Sequence, residues 1–245
     1  MHELELKICH LYPDVLNLYG DSGNILCMKR RLEWRGIDVT VTNCGVGSSF
    51  RAAEHDLLFI GGGQDFEQGV MLPDLNEKAA EIRAAVQDGV PFLAICGGFQ
   101  VLGTHYKTAS GTQYDFTGAL DLWSVGKKDR LTGDYVFSCE ELDGAMVVGF
   151  ENHAGRTYLG DSVRPLGRVI AGHGNNGDDH TEGARFLNTF ATYAHGCVLP
   201  KNPALADYIL KTALEKKYGT VTLTPLDDTF ENRAHDFLVN RMLQK

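Results

Sequence analysis

The chain has 245 residues, 43% of them hydrophobic and 22% charged, which is the make-up of a folded globular protein and excludes disordered and fibrous classes. Its formal net charge of −9 argues against a nucleic-acid partner, because a phosphate-binding face needs a basic stripe. No apolar run approaches the ~20 residues of a membrane span, and "MHELELKICHLYPD" lacks the basic-then-apolar order of a secretory leader, so the expected location is the cytoplasm.

In chain order, "LELKICHL" reads as a strand and "GNILCMKRRLEWRG" as a helix stopped by Gly36. The basic residues of that helix, 28 to 35, read as a solvated face. "DVTVTNC" is a β-branched strand, and "HDLLFIGGG" a buried strand that stops at glycines. "LPDLNEKAAEIRAAVQDG" reads as a helix opening near Pro73 and ending at Gly89, "VPFLAIC" as another short buried strand, and "GGFQVLGTHYK" as a helix. Alternation of this kind predicts an α/β protein with a mostly parallel, doubly covered open sheet. The second half adds β-strands at "DYVFSCEEL", "AMVVGFENH", "GRVIAGHG" and "FLNTFATYAHG", and a polar loop, 172 to 185, expected on the surface. Helices follow at "NPALADYILKTALEKKYG" and "DDTFENRAHDFLVNRMLQK". Residues 1–245 read as one domain with a C-terminal helical extension at about 226–245.

Six cysteines, Cys9, Cys27, Cys44, Cys96, Cys139 and Cys197, are widely separated and contain no C-x-x-C pair, so free thiols are expected and no metal site is assigned. Cys96 stands apart: it ends an apolar strand, two glycines follow, and a helix begins. Ligands of an open parallel sheet bind at such strand ends. The glycines tolerate the sharp turn, and the N–H groups of the first helical turn lower a thiol's pKa and bind an oxyanion. A buried structural cysteine is the competing reading. A thiol nucleophile needs a base, and His195 in "TFATYAHGCVLP" is the best placed of nine histidines, with His153 behind it. "GGGQD" does not complete G-x-G-x-x-G, and no phosphate loop occurs, so ATP use by this chain is not expected.

Together, "GGGQD", "CGGFQVLG" and "YAHG" resemble the glutamine amidotransferases with a cysteine nucleophile, in their cobyric-acid-synthase-like branch. "LYPDVLNLYGDSGN", "RLTGDYV", "ENHAGRTYLG" and "YAHGCVLPKNPALAD" narrow the resemblance to the glutaminase subunits of lipid II isoglutaminyl synthases. The resemblance implies a flavodoxin-like class I fold, Cys96 as nucleophile, His195 as base, Arg130 on the carboxylate of L-glutamine, and Gln100 at the glutamine pocket. Gly62 and Gly97 would supply oxyanion N–H groups. It also implies a heterodimer with a Mur-ligase-like, ATP-dependent subunit that carries ATP and magnesium and alone reaches lipid II. No cofactor is expected in this chain.

One departure is visible. Many such enzymes place a Glu two residues after the histidine, where this chain has Cys197. The third member of the triad is then missing, supplied from elsewhere in the chain or supplied by a partner; a dyad in the isolated chain is the expectation. Competing readings are a corrinoid amidotransferase module, a γ-glutamyl hydrolase and a silent binding subunit.

Overall fold

The computed structural model describes residues 4–63 and 65–244, without the side chains of 65–69. A six-stranded sheet forms from β1 (Glu5–Leu11), β2 (Asp38–Cys44), β3 (Leu57–Ile60), β4 (Phe92–Ile95), β11 (Ala184–Phe186) and β12 (Thr189–Thr192). Its order is β11-β12-β4-β3-β1-β2, and every pairing except β11 with β12 is parallel. All residues of β3 and β4 are buried, because helices cover both faces; such strands read as continuous apolar runs rather than alternations. The covering helices are α1 (Ser22–Glu33), α2 (Asp65–Gln87), α3 (Gly97–Val101), α4 (Val198–Lys201) and α5 (Pro203–Tyr218).

A second sheet holds the additional strands: β5 (His105–Lys107), β6 (Gln113–Asp115), β7 (Leu122–Cys139), β8 (Ala145–Leu159), β9 (Gly167–Ala171) and β10 (Thr181–Glu182). The long β7/β8 hairpin is antiparallel, with a register shift between Gly126 and Leu131 that places Arg130 in a bulge. Past β12 the chain reaches the second sheet: the N–H of His195 donates to the Phe150 carbonyl at 2.8 Å, and the N–H of Phe150 donates back at 3.3 Å. The joint between the two sheets thus lies at the C-terminal end of the parallel strands. The final helix, α6 (Thr229–Leu243), packs on α4, β7 and β8.

Four expectations need correction. The helix expected near Pro73 begins at Asp65 and carries the proline inside it; Met71, Leu75, Ala79, Ile82 and Val86 keep one face buried, which outweighs the single missing N–H. The helix expected over "GGFQVLGTHYK" stops at Val101, and His105–Lys107 pairs with β7 as a strand. The 172–185 loop is not a pure surface excursion: Asn175, Asn176 and Glu182 are buried, and the Asn175 amide bridges to Gly183 in both directions.

The basic stretch of α1 is not wholly solvated either. Arg31 is buried and makes bidentate contacts with both Asp207 and Asp228 at 2.7 to 2.8 Å. Arg35 joins the same Asp207 at 2.6 Å. Arg31→Met is expected to cost about 2 kcal/mol by stranding Asp228 and leaving Asp207 to Arg35 alone, less than a fully buried triad because both carboxylates remain partly exposed. The shift in a urea unfolding midpoint measures it, and an unmoved midpoint would show that this arginine bridge contributes nothing. Among the described residues, no helix is long and apolar enough to cross a membrane.

Candidate active site

The turn from β4 into α3 puts Cys96 at φ 49 and ψ −103, a conformation that side chains with a Cβ rarely adopt. The turn is held from both sides. The Cys96 N–H donates to the Thr192 carbonyl at 2.8 Å, and the Gly98 N–H donates to the Gly61 carbonyl at 3.0 Å. Gly98 must lack a side chain, since a Cβ there would lie 2.7 Å from Gly61 O and 2.8 Å from Ile60. Gly97 opens α3, where the first N–H groups have no acceptor within the helix. The geometry is a sharp strand-to-helix elbow presenting a thiol.

His195 is fully buried beside it. A Cβ on Gly62 would lie 2.5 Å from His195 Cε1 and 3.2 Å from Cys96 Cβ, so this glycine is what allows imidazole and thiol to share one space. The Gly62 N–H, expected to face an oxyanion, instead donates to Asp21 Oδ2 at 2.8 Å. The other carboxylate oxygen, Asp21 Oδ1, stands 3.4 Å from His195 Nδ1. His195 Nε2 has no hydrogen-bond partner among the described residues. Burial alone would pull the His195 pKa down, but the negative charge of Cys96 and the hydrogen bond and charge of Asp21 outweigh it and hold it at about 10. The imidazole is thereby held toward its protonated form.

A carboxylate of the same chain thus stands at the histidine where a dyad was expected. Asp21 immediately precedes α1 and is fully buried, at a helix N-terminus that stabilises negative charge. Cys197 does not take that place. It occupies a left-handed turn position, φ 49, and its Sγ donates to the Gly20 carbonyl at 3.0 Å, tucked against Gly23.

Arg130 and Gln100 sit in different settings. Arg130 is exposed, and its guanidinium is anchored on Asn152, with Nε on Oδ1 at 2.7 Å and Nη2 on the backbone carbonyl at 2.8 Å. Gln100 is buried on α3; its Nε2 donates to Tyr193 Oη at 3.0 Å, in the space that Gly155 leaves by lacking a Cβ. His153 stacks on Tyr193 with ring centroids 3.6 Å apart, and burial pushes its pKa down. It is held by the Gly155 carbonyl at 2.6 Å, inside the second sheet. All six cysteines are free, and among the described residues no group of His, Cys, Asp or Glu converges as a metal site.

An elbow thiol, a buried imidazole and a carboxylate behind it thus meet at the C-terminal edge of the parallel sheet. Residues 7–203 match the CobB/CobQ-like glutamine amidotransferase domain, and the chain belongs to that family. It is 40% identical to the GatD subunit of lipid II isoglutaminyl synthase (glutamine-hydrolyzing) of Staphylococcus aureus, over 98% of this chain and 97% of that one. Against the GatD of Streptococcus pneumoniae the identity is 42%, over 88% and 83%. A probable cobyric acid synthase of Methanothermobacter thermautotrophicus is 32% identical over 84% of this chain, which spans 42% of that longer protein. The fold is shared with a glutamine amidotransferase from Thermotoga maritima, at TM-score 0.55 and 15% identity over the whole of both chains. A second solved glutamine amidotransferase gives 0.57 and 20% over 84% of this chain and 98% of that one.

Proposed function

We propose that this chain hydrolyses L-glutamine to glutamate and ammonia and delivers the ammonia to a Mur-ligase-like, ATP-dependent partner that amidates the D-glutamate α-carboxyl of lipid II to D-isoglutamine. The observation that carries the first half is Cys96 on its strained elbow beside His195 and Asp21. The second half rests on near full-length identity to two GatD subunits.

In this reading Cys96 Sγ attacks the side-chain amide carbon, and the negative oxygen is met by the N–H of Gly97. The C–N bond breaks as His195 Nε2 gives its proton to the departing nitrogen, leaving a γ-glutamyl thioester and ammonia. Water then adds, His195 takes its proton, and the C–S bond breaks to release glutamate. Asp21 holds Nδ1 throughout, which fixes the ring orientation and supports the imidazolium. Arg130 meets the substrate carboxylate, and Gln100 supports the pocket through Tyr193. ATP and magnesium belong to the partner. Because ammonia near neutral pH is mostly protonated and then not nucleophilic, a shielded transfer between subunits follows.

The test supplies L-glutamine with an isotope-labelled amide nitrogen to the chain together with its ATP-dependent partner and lipid II. Mass spectrometry is expected to find the label in the amide of D-isoglutamine even with unlabelled ammonium in the buffer. Glutamate release without label transfer would sink the lipid II half and leave the glutaminase.

A further inference from the structure

Tyr19 lies outside every role assigned above, yet it touches both halves of the site. Its backbone is left-handed, φ 61 and ψ 17, a conformation that is strained for an aromatic residue and is retained where the surroundings over-determine it. Its ring lies 4.9 Å from that of His195, tilted at 59°, and 6.0 Å edge-on from that of Phe150, whose backbone pairs with His195. Its hydroxyl accepts the Asn152 Nδ2 hydrogen bond.

Asn152 is a hub that bonds through its side-chain oxygen, its amide nitrogen and its backbone carbonyl. Oδ1 accepts from Arg130 Nε at 2.7 Å and from Thr132 Oγ1 at 3.2 Å, while the backbone carbonyl accepts from Arg130 Nη2. The donors on Oδ1 and the Tyr19 Oη acceptor on Nδ2 together hold the amide in one orientation. An unbroken chain of contacts therefore runs from the guanidinium through Asn152 to the ring that packs on the imidazole. Arg130 itself is exposed in a β-bulge, and its hydrogen bonds to Asn152 hold the guanidinium.

We infer that Tyr19 is a positioning residue: its hydroxyl, through Asn152, sets Arg130 to receive the α-carboxylate of an amino-acid substrate, and its ring sets His195, so that one side chain aligns the substrate's charged end with the base. The inference rests on reading the site as a glutaminase. It makes the Arg130 end and the His195 end of Tyr19 separable by substitution, the hydroxyl serving the first and the ring the second.

The experiment follows alkylation of Cys96 by the diazoketone analogue of L-glutamine, scored by intact mass, with the concentration for half-maximal rate and the maximal rate measured separately. Labelling of wild type at Cys96 tests the reading of the site; without it both that reading and this inference fall. Tyr19→Phe keeps the ring and is expected to raise the half-maximal concentration about five- to tenfold, the size of one hydrogen bond that aligns a charged group, with an unchanged maximal rate. The same variant is expected to react like wild type with a control diazoketone whose α-carboxylate is amidated. Tyr19→Leu removes the ring as well and is expected to lower the maximal rate about tenfold. Equal loss with both analogues would show a merely structural tyrosine, and wild-type constants for Tyr19→Phe would remove the hydroxyl from the mechanism; either outcome overturns the inference while leaving the glutaminase standing.

Discussion

Cys96→Ala is expected to lower glutamate release by about four orders of magnitude or more, because loss of a covalent nucleophile is not shared among the remaining groups. Binding should survive, since Arg130, Asn152 and Tyr193 are untouched and Cys96 donates no side-chain hydrogen bond that holds them. The elbow adds a second, opposite effect. Cys96 holds φ 49, which disfavours any residue with a Cβ, Ala included. Cys96→Gly removes that strain and is expected to be more stable than Cys96→Ala by about 1 kcal/mol while equally inactive. Calorimetric melting of the two variants, beside a glutamate assay, separates the effects. Residual turnover in either variant near the wild-type level would mean that the thiol is not the nucleophile. Equal melting would mean that the turn is not strained by its side chain.

That the elbow could be read from sequence at all follows from its being local. "FLAICGG" carries the buried strand, the reactive residue and the glycines in one stretch, and Gly98 is fixed as glycine by the neighbouring strand end at Gly61. The parallel sheet was legible for the same reason, since "HDLLFI" and "VPFLAI" are apolar runs too short for helices. Gly62 was legible as a needed glycine but not in its part: the space it leaves goes to His195, and its N–H goes to Asp21.

Asp21 was not legible. Its partner His195 is 174 residues away, and the Asp-Ser-Gly before an apolar run looks like an ordinary helix start. The position after His195 misled for a related reason. Gly196 and Cys197 both lie at positive φ, so the chain turns away from the imidazole there and a side chain at 197 faces Gly20 instead. The clue that did exist was "LYPDVLNLYGDSGN", whose one aspartate at a helix start also follows the tyrosine that packs on His195. The solvated reading of α1 failed through distance as well: Asp207 and Asp228, which bury Arg31, lie beyond the reach of any local pattern.

Asp21→Asn should show what the carboxylate does. Asparagine fills the same volume and its side-chain oxygen still accepts the Gly62 N–H, so the fold is expected to hold. What disappears is the negative charge at His195 Nδ1, and with the amide oxygen held by Gly62 the NH2 group faces Nδ1, which favours the tautomer protonated on Nε2 instead. A loss of about three to four orders of magnitude in kcat is expected. The pH profile carries the sharper test. In the proposed reaction His195 must carry the proton it gives to the departing nitrogen, so the alkaline limb is expected to report loss of that proton. Burial pulls the pKa of His195 down and Cys96 and Asp21 raise it, to about 10. Removing one of the two raising charges lowers it, so imidazolium is lost at lower pH and the alkaline limb moves toward neutrality. Cys96 alkylation followed against pH measures that limb without turnover. An unmoved limb in Asp21→Asn with full activity would return the site to a dyad. Cys197→Ala is the matching control: its thiol is bonded to Gly20 rather than to the imidazole, so neither rate nor limb should change. A shifted limb there, with none in Asp21→Asn, would give the third place to the cysteine.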